Sequence, residues 1–420
     1  LTRYAEQGIE GYKLDYAEDV VPGFGEARLP WLFHDGSDER TMQAAYQRLY
    51  HQIYDETLPA DGGFLLVRGG TWGDQVYSSV VWPGDLDADL GAQLALVDGK
   101  KRSGGLPAAV VAGSSLGPSG YPLFASDTGG YKHGPPNKET FTRWFQHTAL
   151  TPVMQIGTAR SNVAWEYDED NGFDDEMLGW YRDFTRLHLR LFPYLWTHVH
   201  DVAVHGRPIV RAVGLAYPEL NEHPPYDYML GDDLLVAPVV EAGASEREIV
   251  VPPGSWLDWF TGEEIAGPGR VTVSAPLAKL PLYLREGAIV PLLRPSIDSL
   301  SETTRPEEVD SYATDSGKLY LRVRPGPPSS FTLFDGTSIA QGRDALTWAL
   351  RLGEGEVFAT GWVVEAVGVG AEPTRVVVDG VEIPRGAAND GAASWSYSAE
   401  VGGSLTVVVP TATAVVLAYF

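Results

Sequence analysis

Two aspartates early in the chain stand where a side chain could do chemistry, each just after a run of apolar residues. Asp15 closes the run that begins at Gly11, and Asp85 follows Trp82 by three positions. Two carboxyl groups on opposite faces of an anomeric carbon can share the work of hydrolysis. One attacks, while the other protonates the leaving oxygen and later activates water. The pair therefore predicts nucleophilic and acid–base chemistry that requires neither a metal nor a cofactor.

Each of these aspartates also has an ordinary structural interpretation. Asp15 could cap the turn after its strand, and Pro-Gly-Asp at residues 83–85 is common turn chemistry. Lys13 lies two positions before Asp15, on the same face of a strand, and could hold that carboxylate ionised. Trp82 could shield Asp85 from water and raise its pKa, as a general acid at neutral pH requires.

Two further polar residues follow strand-like runs and could contact a substrate. Arg68 could bind hydroxyl groups, steady a carboxylate or form a structural ion pair. Asp127 could accept hydrogen bonds from a sugar, because the glycines at 129–130 permit close backbone approach, although they also suit an ordinary loop. Asp87 and Asp89 are interpreted as surface residues.

The elements that must position these residues alternate between strands and helices over residues 8–200, which predicts a parallel α/β domain. Strand-like runs end near residues 15, 68, 82, 124 and 156. Helices are predicted at 39–56, 137–149 and near 175–204, the last kinked at Pro193. The polar residues fall at strand ends, where a (β/α)8 barrel places its active site. We therefore predict part of such a TIM barrel, with five of its eight strands.

After about residue 205 short alternating runs are separated by Pro and Gly turns, which indicates antiparallel β structure. Residues 376–381 carry a hairpin signal centred on Asp-Gly. We predict a barrel part at 1–204, a proximal β-sandwich at 205–297 and a distal β-sandwich at 298–420. Residues 292–305 are predicted to form the linker between the sandwiches.

Composition excludes several classes of function. The chain has 56 acidic and 31 basic residues, a formal charge of −25, which would repel nucleic acid and anionic membrane surfaces. With no cysteine it has no disulfide, thiolate nucleophile or cysteine-ligated metal, and its histidines show no metal-ligand spacing. No apolar run approaches the length of a membrane span. The N-terminus lacks the layout of a signal peptide, so the compartment is not predicted.

Taken in order, several segments resemble glycoside hydrolase family 31, a family of retaining α-glycosidases. These segments are residues 13–18, 68–75, 82–85, 126–130, 191–196, 228–239, 254–262 and 275–291. The resemblance covers about residues 8–297, whereas 298–420 fit the family's distal sandwich by position only. It implies that Asp15 is the nucleophile and Asp85 the general acid/base. It also implies substrate-binding roles, which are assigned to Lys13, Glu18, Arg68, Trp82 and Asp127.

Two departures from the family pattern fall on the side of the pocket that binds hydroxyl groups. Family members often end the last barrel strand with Arg-x-His, whereas this chain has Gln155, Ile156 and Gly157. A His often found before the later Asp is Ser126 here. The differences leave both carboxylates in place but weaken the inference to a plain α-glucosidase.

The resemblance implies hydrolysis of a terminal α-linked sugar through a covalent glycosyl intermediate on Asp15. α-Glucosidase is the default activity by family frequency, and α-galactosidase is the alternative because of the two missing His positions. α-Xylosidase and transglycosylase activities also occur in the family. A non-catalytic carbohydrate-binding protein is the alternative of another class, but binding alone needs neither carboxylate.

Two structural expectations follow from these assignments. The carboxyl groups of Asp15 and Asp85 should lie about 5–6 Å apart across an open pocket. A barrel also closes with eight strands, whereas five are predicted here. We therefore expect an N-terminal segment or a second chain to complete the barrel and to add sugar contacts.

Overall fold

The structure is a computed structural model that describes residues 1–17, 20, 29–60, 62–93, 96–97, 99–157, 163–167, 171–386 and 391–420. Contacts divide the chain into two compact units, residues 1–173 and residues 174–420. The predicted limits at 204 and 297 remain predictions.

A parallel sheet forms the centre of the first unit. Its strands pair in chain order and are β1 (Gly11–Leu14), β2 (Phe64–Arg68) and β3 (Val80–Trp82). The parallel series continues through two isolated bridges, Val81 with Phe124 and Asp127 with Gln155. The five predicted strands thus occur in the predicted order. The fourth and fifth are not full strands, because each makes only one isolated bridge.

Both faces of this sheet are buried, as is typical of parallel sheets. One face packs against Tyr50 and Tyr54, and its core residues are Leu14, Leu65, Val67, Val81 and Tyr121. The core residues of the other face are Leu66, Val80, Trp82 and Ala125. Because alternate strand residues point to opposite faces, this second face is also the one that receives the side chains of Lys13 and Arg68.

Among the described residues of the first unit, the remaining elements are four helices and one short hairpin. They are α1 (Thr2–Ala5), α2 (Glu39–Asp55), α3 (Leu106–Leu116), α4 (Lys138–Thr148), β4 (Leu96–Val97) and β5 (Lys100–Lys101). The helices predicted at 39–56 and 137–149 are confirmed. Each begins at a side-chain cap, where Asp38 accepts from the Thr41 amide and Asn137 from the Thr140 amide.

The second unit opens with α5 (Asp175–Arg190) and α6 (Phe192–His205). The predicted break near Pro193 is confirmed, since Pro193 lies in the first turn of α6, where its missing N–H costs no helical hydrogen bond. The short helix α7 (Val213–Ala216) and a 3-10 turn (Pro218–Leu220) follow.

A six-stranded antiparallel sheet comes next, in the order β10-β9-β11-β8-β7-β6. Its strands are β6 (Val210–Ala212), β7 (Tyr228–Leu230), β8 (Leu234–Val236), β9 (Glu246–Asp258), β10 (Glu264–Ser274) and β11 (Leu282–Arg285). Its apolar side chains pack with Val213 of α7 around the fully buried Trp256.

Two further sheets share one apolar core and form a β-sandwich. The five-stranded sheet has the order β12-β13-β17-β21-β20, with β13 parallel to β17, and the six-stranded sheet has the order β14-β15-β16-β22-β18-β19. The strands are β12 (Ile289–Leu292), β13 (Leu319–Val323), β14 (Ser329–Thr332), β15 (Ser338–Arg343), β16 (Thr347–Leu352), β17 (Trp362–Val367), β18 (Arg375–Val378), β19 (Val381–Glu382), β20 (Ser394–Ser398), β21 (Ser404–Val409) and β22 (Ala414–Tyr419). Val364 of one sheet and Trp348 of the other lie in that core.

Two local predictions in this region have different outcomes. The Asp-Gly hairpin is confirmed, because β18 pairs with β19 across Asp379 and Gly380, both at positive φ. The linker at 292–305 stays a prediction, and within that stretch Leu293 and Ile297 are fully buried in the sandwich core. Over the described ranges, no helix is both long and apolar enough to cross a bilayer.

Tyr194 of α6 provides a test of how the second unit is held together. Its buried hydroxyl donates to the Leu230 carbonyl at 2.9 Å and accepts from the Asp233 amide at 3.2 Å. Tyr194→Phe should lower the free energy of unfolding by about 1–3 kcal/mol, because two buried backbone groups lose this partner. Urea unfolding measures the change, with Tyr226→Phe at a half-buried position as the control. Equal stabilities for Tyr194→Phe and the native protein would contradict the assignment.

Candidate active site

The register of the parallel sheet brings the predicted site residues to one face. Lys13 pairs with Leu66, and Arg68 pairs with Trp82. Neighbouring residues in register project to the same side of a sheet, so Lys13, Arg68 and Trp82 lie on one face. Asp15 lies one residue beyond β1 and two residues after Lys13, so its side chain projects to the same face of the sheet.

Arg68 lies between the two predicted catalytic carboxylates. Its Nη1 donates to Asp15 Oδ1 at 2.9 Å and lies 3.6 Å from Asp85 Oδ1. The two carboxylate oxygens are therefore at most 6.5 Å apart, the sum of the distances 2.9 and 3.6 Å. Retaining glycosidases place their two carboxyl groups about 5–5.5 Å apart, a spacing that this upper limit permits.

The turn after Asp15 orients its carboxylate. The Tyr16 amide donates to Asp15 Oδ1 at 3.0 Å, from a backbone with φ of 66°. A non-glycine residue in that region costs of order 1–3 kcal/mol, and such strain is often found at functional sites. The Tyr16 ring lies 5.2 Å from the Arg68 guanidinium carbon. Sequence inspection missed Tyr16, although its position directly after the predicted nucleophile was a signal.

The glycine of the Pro-Gly-Asp turn makes room for Arg68. Gly84 has a φ of 77°, and a Cβ at this position would lie 2.9 Å from Arg68 Nε. A turn at residues 83–85 and a chemical role for Asp85 are therefore compatible. The turn lets the guanidinium pass beside the backbone and reach Asp85.

A second ion pair lies beside the first. Lys13 Nζ donates to Asp127 Oδ1 at 2.8 Å and lies 4.5 Å from the centre of the buried Trp82 ring. The sequence placed Lys13 on the same face as Asp15, but its hydrogen bond is with Asp127, and the cation that contacts Asp15 is Arg68. Burial raises the pKa of Asp127; Lys13 opposes this rise, and the charges of Asp85 and Asp15 reinforce it. That Trp82 shields Asp85 remains a prediction, since the ring contact described here is with Lys13.

The two departures from the family pattern have physical explanations. A Cβ on Gly157 would lie 2.6 Å from Asp127 Oδ1 and 3.6 Å from Lys13 Nζ, so the missing side chain leaves space for that ion pair. Ser126 is fully buried, and its Oγ accepts a hydrogen bond from the Trp144 indole at 3.0 Å. Ser126 therefore supports the core beneath Asp127.

The predictions for three acidic residues have different outcomes. Asp87 is wrongly predicted as a surface residue, because it is fully buried and its Oδ1 lies 2.6 Å from His133 Nδ1. Asp89 is half-buried and accepts from the Gly91 amide at 2.8 Å. Glu18, predicted to bind substrate, lies outside the described residues.

The loop that follows Arg68 is anchored from beneath by a pair that the sequence did not reveal. His51 Nδ1 of α2 lies 2.7 Å from Asp74 Oδ2, and both side chains are fully buried. The Tyr121 hydroxyl donates to the Thr71 carbonyl at 2.6 Å. Burial raises the pKa of Tyr121 to about 12, with the charge of Asp74 adding to the rise, so this hydroxyl stays a donor.

Comparison with known proteins relates both parts of the chain to one family. The model of the "Glycosyl hydrolases family 31 TIM-barrel domain" matches residues 1–198, and that of the "Glycosyl hydrolase family 31 C-terminal domain" matches residues 206–290. These matches confirm the predicted order of a barrel part followed by β-rich modules.

Individual relatives agree with this result. The chain is 32% identical over 291 residues to a sulfoquinovosidase of Escherichia coli, covering 67% of this chain and 40% of that protein. It is 26% identical over 399 residues to an α-glucosidase 2 of Bacillus thermoamyloliquefaciens, covering 90% and 48%. An uncharacterized Listeria monocytogenes protein of known structure shares the fold, with a TM-score of 0.80, 24% identity and coverage of 99% of this chain and 39% of that one. The chain thus spans less than half the length of these relatives.

Substitution at Gly84 tests whether the placement of Arg68 matters. If Asp15 and Asp85 are the catalytic pair of an α-glycosidase, as the sequence predicts, Gly84→Ala should lower kcat by about tenfold or more, or ~1.4 kcal/mol, because the new methyl group displaces the guanidinium. Gly73→Ala is the matched control, since Gly73 also has positive φ but its nearest neighbour would be 4.0 Å from a Cβ. Similar kinetics for the two variants would mean that backbone strain alone explains any loss.

Proposed function

The chain belongs to glycoside hydrolase family 31, and we propose that it hydrolyses a terminal α-glycosidic bond with retention of configuration. The observation that carries this proposal is that Asp15 and Asp85 share the same Arg68 nitrogen, at 2.9 and 3.6 Å. Two carboxyl groups held on either side of one guanidinium, beyond the ends of β1 and β3 of one parallel sheet, suit a double displacement.

In the first step Asp15 attacks the anomeric carbon and Asp85 gives its proton to the leaving oxygen. Asp15 is suited to attack because its side chain is 44% exposed, whereas that of Asp85 is 19% exposed. The Arg68 and Tyr16 hydrogen bonds both fall on Oδ1, which orients the carboxylate and leaves Oδ2 to form the ester. The glycosidic bond breaks as the Asp15–sugar bond forms.

In the second step Asp85 takes a proton from water, and the resulting hydroxide oxygen displaces Asp15. Arg68 assists this change of role. While Asp15 is esterified it carries no charge, so the guanidinium, 3.6 Å from Asp85, is then available to pair with the Asp85 carboxylate. When Asp15 is released as a carboxylate, Arg68 again pairs with it, and Asp85 is protonated for the next cycle.

The Lys13–Asp127 pair is proposed to bind hydroxyl groups of the sugar. Asp127 is 2% exposed, and its Oδ2 is buried without a hydrogen-bond partner among the described residues. Such an acceptor is costly unless a ligand donates to it. Trp82, beside Lys13, would contribute an apolar wall.

The substrate we propose is a neutral α-glycoside, with an α-glucoside as the default and an α-galactoside as the alternative. In the part of the site that the structure describes, three carboxylates face two cations, so an anionic sugar is less favoured. A panel of p-nitrophenyl α-glycosides of glucose, galactose and xylose, with sulfoquinovose as the anionic member, distinguishes these substrates. Fastest turnover of the sulfoquinovoside would overturn the charge argument.

Azide rescue tests the two carboxylate roles separately. Asp15→Ala should lower kcat by roughly 10⁴-fold or more. Azide then attacks from the side that the carboxylate used and yields a β-glycosyl azide. Asp85→Ala should retain more turnover on activated substrates, and azide should react with the ester on Asp15 to give the α-glycosyl azide. The anomeric configuration is read by NMR.

Controls make this result decisive. The native protein should give no glycosyl azide, and Asp35→Ala, an aspartate in an exposed turn, should behave like the native protein. Near-native turnover by Asp15→Ala, or the same azide anomer from both variants, would contradict the assigned roles.

We propose further that a preceding segment or a second chain covers the free edge of β1. Within the described residues β1 pairs only with β2, and an uncovered edge in a parallel sheet invites association. Ile9, two residues before β1, is 42% exposed. A strand added at this edge would pair with β1 and extend the sheet.

Expression of residues 1–420 alone tests this second proposal. The isolated chain should form oligomers or aggregates, measured by light scattering, and should turn over α-glycosides poorly. A longer protein that includes the covering segment should be monodisperse and active. A soluble, cooperatively unfolding and active monomer of residues 1–420 would refute the need for a covering partner.

A further inference from the structure

We infer that Asp87 is a positioning residue that fixes the acid/base Asp85 relative to the loop that carries Asp127. The inference rests on the proposed function, because it assigns Asp87 a role only through Asp85. Asp87 lies two positions after Asp85 and contacts segments far away in the sequence.

The Asp87 carboxylate is fully buried, and both of its oxygens have partners. Oδ2 accepts from the Gly104 amide at 2.9 Å. Oδ1 lies 2.6 Å from His133 Nδ1 and 3.8 Å from Arg102 Nη1. A buried carboxylate is stable only with such compensation, so Asp87 ties its own loop to both partner segments.

Backbone hydrogen bonds extend this connection along the loop. The amides of Asp87 and Ala88 donate to the carbonyls of Gly104 and Lys132, at 2.9 and 2.7 Å. The Lys132 amide in turn donates to the Leu86 carbonyl at 2.9 Å. Residues 86–88 are thus held on two sides, directly after Asp85.

The contact with the Asp127 loop is close enough to require a glycine. Gly130, three residues after Asp127, has a φ of 83°, and a Cβ there would lie 2.5 Å from the Ala88 Cα. The two loops therefore meet backbone to backbone. Their contact fixes the distance between the residue that protonates the leaving group and the residue proposed to bind the sugar.

This arrangement predicts a particular kinetic effect. Proton transfer requires the acid within about 2.6–3.2 Å of the leaving oxygen, so a small shift of Asp85 impairs protonation first. Attack by Asp15, which belongs to a different strand end, is less affected. A defect at Asp87 should therefore depend on the leaving group, whereas a general loss of structure should slow all substrates alike.

The test compares Asp87→Asn with the native protein on two substrates of the same sugar. One is a disaccharide, whose leaving group must be protonated, and the other is the glycosyl fluoride, whose leaving group needs little help. We expect kcat/KM for the disaccharide to fall at least about tenfold more than for the fluoride. Asp89→Asn, the same change two residues further on, should lower both values equally or not at all.

A second variant covers the case in which Asp87→Asn fails to fold. His133→Gln alters a partner whose side chain is 56% exposed, so the fold should tolerate it, and it should give the same selective loss with smaller size. Equal losses on both substrates for the folded variants would reduce Asp87 to a structural role and overturn the inference.

Asp85→Ala is measured alongside. If that variant shows no dependence on the leaving group, the proposed function itself has failed, which is a distinguishable result.

Discussion

The candidate site depends on the placement of one guanidinium within reach of two carboxylates. The Oδ1 atoms of Asp15 and Asp85 lie at most 6.5 Å apart, so the two carboxylates repel each other, and the chain's formal charge of −25 adds to that repulsion. Arg68 offsets the repulsion with a charge that does not titrate. In the proposed double displacement it pairs with the Asp15 carboxylate before the first step and with the Asp85 carboxylate while Asp15 is esterified, so one fixed residue can serve both steps.

The structure around Arg68 serves to hold it in place. The parallel register sets Arg68 beside Trp82, and the positive φ of Gly84 removes the side chain that would block its path. Beneath the following loop the buried His51–Asp74 pair fixes the backbone to α2. These contacts come from three segments, so the geometry of the site is a property of the whole first unit.

Local patterns in the sequence were sufficient to predict the order of the parallel segments, the capped helices and the Asp379–Gly380 hairpin. The pairing of side chains was not predictable, because it depends on register between distant segments. Lys13 pairs with Asp127, 114 positions away, and Asp87 contacts Gly104 and His133, 17 and 46 positions away. The burial of Leu293 and Ile297 in the sandwich core also depends on tertiary packing. It could not be predicted from the polar, turn-rich composition of their segment.

Capture of the covalent intermediate tests the assignment of Asp15 most directly. A cyclophellitol-type epoxide or aziridine of the preferred sugar is incubated with the complete protein, which is then digested with trypsin and sequenced by mass spectrometry. The double-displacement mechanism predicts one adduct, on Asp15 in the peptide of residues 14–28, and its loss in Asp15→Asn. An adduct on Asp85, or turnover and sugar binding with no adduct at all, would contradict it.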